Sequence, residues 1–207
     1  MEDSLQHCIS LWPKDPHSAI ITGATGCGKT KFILDLLEEV YLNVFKNIII
    51  LCPTIKWNET YKMRSWVWKN DNVYVVNPGE KLHDWLRLLF KEFQGESTLY
   101  IIDDCAAKQA MVKKRDMLTE LAYSGRHAKQ SVWILTQRYN SVLKDFRTQT
   151  RWVALFHCKD RDSFEECLRE NDIVPLEELA VLRRQLAKTK HSKLILKTDQ
   201  PAEYKVL

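Results

Sequence analysis

Seven largely apolar runs punctuate the chain: "SAIITG" (18–23), "NIIILCP" (47–53), "VYVVNP" (73–78), "TLYIIDDC" (98–105), "SVWILTQ" (131–137), "RWVALFHC" (151–158) and "KLILKT" (193–198). Most are continuously apolar and rich in β-branched residues, the pattern of strands buried on both faces of a parallel sheet. Between them the apolar positions recur at helical spacing. In "GEKLHDWLRLLFKEF" the residues Leu82, Trp85, Leu86, Leu89, Phe90 and Phe93 form a single stripe. "KKRDMLTELAYSG" predicts a helix that stops at Gly125, and "RDSFEECLREND" and "PLEELAVLRRQLA" predict two more. Strands alternating with helices predict an α/β fold, a mostly parallel central sheet with helices on both faces. There is no internal repeat, low-complexity segment or linker, so residues 1–207 are expected to form a single domain.

The first strand runs straight into "GATGCGKT", which is followed by the amphipathic "KFILDLLEEV". Gly23, Ala24, Thr25, Gly26, Cys27, Gly28, Lys29 and Thr30 satisfy G-x-x-x-x-G-K-[ST] between a strand and a helix. Glycines let backbone N–H groups curl around phosphate oxygens, and the helix N-terminus adds partial positive charge. Lys29 would reach the β- and γ-phosphates, and the Thr30 hydroxyl would hold Mg²⁺. This marks a P-loop NTPase. A second buried strand ends in Asp103 and Asp104. Asp103 is positioned to meet Mg²⁺ through water, and Asp104 to orient and deprotonate an attacking water. The alternative for Asp104 is a helix cap. The guanine-reading NKxD is absent, which favours ATP over GTP. A third strand ends in Thr136 and Gln137, where a side-chain amide can sense the γ-phosphate.

Composition changes the picture little. No apolar run approaches the roughly 20 residues that cross a bilayer, and the N-terminus lacks the character of a secretory signal, so no membrane partner is expected. Six cysteines without CxxC spacing predict free thiols in an intracellular, reducing compartment. The six histidines show no ligand-pair spacing. Charge is uneven. Lys108 to Arg151 holds ten basic against three acidic residues, and Arg183 to the end seven against two, within a total of +4. Such segments suit an anionic partner or are solvated helix faces. In "KWNETYKMRSWVWKN" (56–70) aromatics interleave with Lys and Arg, which suits stacking on single strands or a buried helix side formed by Trp57, Tyr61 and Trp66.

The order "GATGCGKT … LYIIDDC … SGRH … WILTQR" resembles the FtsK–HerA superfamily of DNA-pumping ATPases, and within it the genome-packaging ATPases of large DNA viruses (poxvirus type) and related virus-like transposons. The loop and acid pair are common to many ATPases. The Gly125-Arg126 and Thr136-Gln137-Arg138 pairing around one strand is narrower. The resemblance implies a RecA/FtsK-like fold with Lys29, Asp104, Arg126 and Gln137 as catalytic residues, Thr30 and Asp103 at the metal, and ATP and Mg²⁺ as ligands. Asp104 departs from the usual Glu. Arg126 matches the arginine that ring ATPases present to a neighbour's nucleotide, and Arg138 is its competitor. Implied partners are double-stranded DNA, further copies in a hexameric or pentameric ring, and a capsid or portal protein. The implied location is the host cytoplasm or nucleus, with association to the virion. DNA contacts are expected from Lys113, Lys114, Arg115, Lys144 and Arg147, with the phosphates rather than the bases.

Rival expectations are a helicase or recombinase-like ATPase on single strands, a small-molecule kinase, and a nucleotide-gated assembly protein with little turnover.

Overall fold

Side chains alternate across a strand, so an unbroken apolar run forms only where both faces are covered. The strands behave in this way throughout the sheet centre. In the structure, a computed structural model that describes residues 5–105 and 116–207, the strands are β1 (Ser18–Thr22), β2 (Asn47–Leu51), β3 (Val73–Val76), β4 (Thr98–Ile102), β5 (Gln130–Thr136), β6 (Trp152–Phe156), β7 (Lys193–Lys197) and β8 (Glu203–Val206). They form one sheet in the order β3-β2-β4-β5-β1-β6-β7-β8. The first six are parallel, and β7 and β8 add an antiparallel hairpin at one edge. The seven expected strands are present, with ends shifted by a residue or more, and β8 is an addition.

The helices are α1 (Lys29–Leu36), α2 (Glu59–Lys62), α3 (Ser65–Lys69), α4 (Leu82–Glu92), α5 (Asp116–Ser124), α6 (Lys144–Thr148), α7 (Arg161–Asn171) and α8 (Leu179–Lys188). One core layer joins Ile20, Tyr100, Val132 and Val153 of the sheet to Leu86 of α4, Leu121 of α5, Phe146 of α6, Phe164 of α7 and Leu186 of α8. The opposite layer joins Ile21, Ile50, Ile101 and Trp133 to Phe32 and Leu36 of α1, Tyr61 of α2 and Val67 of α3. Leu82 and Leu86 of the expected α4 stripe are buried, while Trp85 is exposed.

Beneath α1 an aromatic cluster stiffens the sheet. Trp133 meets Trp152 edge-on at 5.3 Å between ring centroids, Trp12 meets Trp152 at 5.3 Å, and Tyr41 meets Trp133 at 5.2 Å. Each such pair contributes about 1 kcal/mol beyond its buried area. All six cysteines are free thiols. Among the described residues no helix is long and apolar enough to cross a membrane.

The segment 56–70 corrects one expectation. It is a pair of short helices, in which Tyr61 is buried and Trp66 half-buried, but Trp57 is 79% exposed. Trp57 therefore does not belong to a buried helix side.

Candidate active site

The loop after β1 is fixed by backbone bonds to its neighbours. The Gly23 amide donates to the Thr136 carbonyl at 3.2 Å, and the Ala24 amide to the His157 carbonyl at 3.3 Å. Two glycines are required by space and conformation. A Cβ on Gly23 would lie 2.5 Å from Cβ of Phe156. Gly28 adopts φ +101° as it caps α1, and a Cβ there would lie 2.8 Å from Nδ1 of His191. The Lys29 ammonium sits in the loop, donating to the carbonyls of Gly23 (2.7 Å) and Ala24 (3.1 Å). Thr25, Gly26 and Cys27 form the turn between them, and the Cys27 carbonyl lies 2.9 Å from the His191 ring.

The tip of β4 brings an acid to this loop. Asp103 is buried, its amide donates to the Leu51 carbonyl, and its Oδ2 accepts from Thr30 Oγ1 at 2.9 Å and from the Tyr61 hydroxyl at 2.9 Å. Burial pushes the Asp103 pKa up. The bonds from Tyr61 and Thr30 oppose this, as does the charge of Lys29, while Asp104 adds to it. A cation beside Asp103 would relieve that cost. A hydroxyl and a carboxylate are hard oxygen donors, and Mg²⁺ takes few protein ligands while keeping waters and phosphate oxygens. The Thr30–Asp103 pair thus fits Mg²⁺. Asp104 is exposed, adopts φ +56°, and accepts from Thr54 Oγ1 at 3.2 Å. The residues that would decide its helix-cap alternative lie outside those described.

Because β5 lies between β1 and β4, its tip completes the site. A cleft of about 760 Å³ is lined by Thr25, Gly26, Gly28, Lys29 and Thr30, by Asp103 and Asp104, and by Thr136, Gln137 and Arg138. Asn58 and Thr60 of the 56–70 segment, Ser141 and His191 also line it. Sequence reasoning missed these four. The histidine follows a helix of unremarkable composition, and nothing in its spacing shows that the turn before β7 folds back onto the loop.

Arg126 stands apart from this cleft. It is exposed in the turn between α5 and β5, at the start of the strand whose far end carries Gln137. At about 3.3 Å per residue, the length of β5 puts about 20 Å between the two ends. Arg138 lines the cleft, with Nε 3.5 Å from Asp160.

The basic segment is not one face. Lys113, Lys114 and Arg115 lie outside the described residues, and Lys144 is exposed at the start of α6. Arg147 is a correction. Its side chain is 7% exposed, paired with Glu166 (3.1 Å) and Glu170 (3.0 Å), and stacked over Tyr139. A guanidinium held in this way has no reach to a DNA phosphate. Arg151 is likewise committed to Asp15 and Asp199.

A search of curated proteins gave no significant match. Among solved structures the chain is similar to B204, the DNA-packaging ATPase from Sulfolobus turreted icosahedral virus, with 16% identity, TM-score 0.66, and 94% of this chain and 98% of that one covered. Against B204 from Sulfolobus turreted icosahedral virus 2 in complex with AMPPCP the values are 14%, 0.66, 94% and 98%. Against the pCW3 conjugation coupling protein TcpA they are 12%, 0.60, 92% and 60%. These likenesses establish the P-loop NTPase fold. A family model described as Poxvirus A32 protein matches residues 9–199, nearly the whole chain, and the chain belongs to that family.

Proposed function

We propose that this protein is an ATP-hydrolysing motor that packages double-stranded DNA into a viral capsid as a homo-oligomeric ring. Family membership and the likeness to proteins named as packaging ATPases support the reading. The observation that carries its ATPase part is the 2.9 Å contact of Thr30 with Asp103 beneath the glycine loop, with Asp104 and Gln137 in the same cleft.

The chemistry is in-line attack of water on the γ-phosphate. Loop amides and Lys29 hold the β- and γ-phosphates, and Lys29 exchanges its carbonyl partners for phosphate oxygens. Thr30 and Asp103 would hold Mg²⁺, which when bound would supply positive charge against the phosphates. Asp104 orients the water and takes its proton. Asp104 is exposed and lines the cleft, and its one carboxylate bond among the described residues comes from a solvent-facing hydroxyl, Thr54 Oγ1, that water can replace. Gln137 hydrogen-bonds the γ-phosphate or the water. Arg126 acts on a neighbouring copy's nucleotide, since its own is a strand length away. Exposed Lys144, with the basic run at 113–115, contacts DNA phosphates.

One observation favours a second reading. Trp57 and Trp68 are exposed beside Lys56 and Lys69, an arrangement suited to stacking the bases of a single strand. ATP turnover with each kind of DNA separates the two. Stimulation by linear double-stranded DNA, weakening steeply with salt, is the expected result. Stronger stimulation by single strands would favour the second reading. Negligible turnover with either DNA, at high protein concentration, would leave a nucleotide-gated assembly protein.

A further inference from the structure

The carboxylate assigned to the metal side is held by a residue that no motif marks. Tyr61 lies in the four-residue α2, in the connection between β2 and β3. Its ring is fully buried, and its hydroxyl donates to Asp103 Oδ2, the same oxygen that accepts from Thr30. Two donors on one oxygen fix the rotation of the carboxylate. Among the described residues Oδ1 has no protein donor, so it is the oxygen left to face water on a cation. A buried phenol without a partner costs stability, so the hydroxyl at this position is explained by the bond it makes.

The segment that carries Tyr61 is tied to α1, the helix that begins with Lys29 and Thr30. Arg64 pairs with Asp35 of α1 and with Glu38 in the π-helical turn (Leu37–Tyr41) that continues it, the Trp66 indole donates to Glu38, and the Trp68 indole donates to the Tyr61 carbonyl at 3.0 Å. Tyr61 is therefore fixed relative to both partners of the Thr30–Asp103 pair. It is absent from the residues that line the nucleotide cleft, although its neighbours Asn58 and Thr60 are among them.

We propose that Tyr61 is a positioning residue for the divalent cation of this site. Its hydroxyl holds Asp103 in the orientation that presents Oδ1 to the metal's water shell, and it contacts neither nucleotide nor metal. The proposal rests on reading Thr30 and Asp103 as the metal-side pair. Groups that orient metal-side ligands in this way affect metal affinity strongly when removed.

The test is Tyr61→Phe, which keeps the ring and removes the hydroxyl. Binding of a fluorescent, non-hydrolysable ATP analogue to the full chain is measured in EDTA and then titrated with Mg²⁺. Affinity in EDTA is expected to stay within about twofold of wild type, while the Mg²⁺ concentration that half-completes the tightening rises about tenfold. A wild-type Mg²⁺ half-point in Tyr61→Phe overturns the proposal. An affinity loss in EDTA as large as that in Mg²⁺ also overturns it, by making Tyr61 a packing residue only. Asp103→Asn, measured alongside, separates the two claims. If it loses the Mg²⁺ response while Tyr61→Phe keeps the wild-type one, the role of Tyr61 alone falls. If Asp103→Asn keeps the wild-type response, the metal-site reading falls and this proposal with it.

Discussion

The guanidinium of Arg147 lies between Glu166 and Glu170 of α7 and over the ring of Tyr139, 5.0 Å from its centroid. Removing it would leave two carboxylates facing an apolar ring with no counter-charge. Breaking a buried pair in this way costs about 3–5 kcal/mol. Both glutamates keep some solvent access, which puts the expected loss for Arg147→Met at the lower end, about 3 kcal/mol. A lower urea midpoint with unchanged affinity for double-stranded DNA is the expected result. Unchanged stability with weakened DNA binding would restore Arg147 as a phosphate contact. Sequence cannot separate Arg147 from Lys144, three residues earlier in the same short helix. The difference lies in α7, which brings acids to one side chain and not the other. Tyr61 was obscured in a similar way. Its burial was an available reading of the aromatic pattern, but its bond to Asp103 joins positions 42 residues apart.

At the scale of elements, the start of β1 is joined to β5 through His17. The His17 amide donates to Ser131 Oγ at 3.0 Å, and the Trp133 indole donates to His17 Nε2 at 2.9 Å. Nδ1 lies 2.8 Å from the Asp15 carbonyl, so the ring is the neutral form with the proton on Nδ1. Burial, aided by the charge of Arg151 and opposed by the Asp15 carbonyl, pushes its pKa down from 6.5 to about 4. Between these values the unfolded chain binds a proton that the folded chain does not. Stability held above pH 6.5 is therefore lost as pH falls toward 4, by up to about 3 kcal/mol. Urea midpoints across that range, with the His17 ring followed by NMR, check this. An imidazole that titrates near 6.5 in the folded protein would contradict it. The strands of the sheet centre were legible because burial on both faces leaves a continuous apolar signature. β8 was not, because its four residues, EYKV, are all half-buried and owe their structure to pairing with β7. The 56–70 segment was ambiguous because α2 and α3, at four and five residues, are too short to show a periodicity.

For the whole molecule, the phosphate loop and the Asp103–Asp104 pair were legible because each is local: a strand, a turn and a polar tip. Their meeting at one metal was expected from the motifs, but the strand order that brings it about, with β5 between β1 and β4, was not legible. The same strand puts Gln137 in the cleft and Arg126 at the opposite end of the sheet, so one chain does not bring both to one nucleotide. In the ring proposed above, a neighbouring copy would supply Arg126 to each nucleotide, while Arg138 lines the cleft of the same chain.

That claim is tested most directly by mixing Asp104→Asn with Arg126→Ala and following specific ATPase activity, with double-stranded DNA, as protein concentration rises. Each variant alone is expected to be nearly inactive. An equimolar mixture is expected to recover up to about a quarter of the wild-type rate, the share of interfaces in a randomly mixed ring that join an intact acid to an intact arginine. Full activity of dilute Arg126→Ala, or a mixture no more active than its parents, would contradict the account.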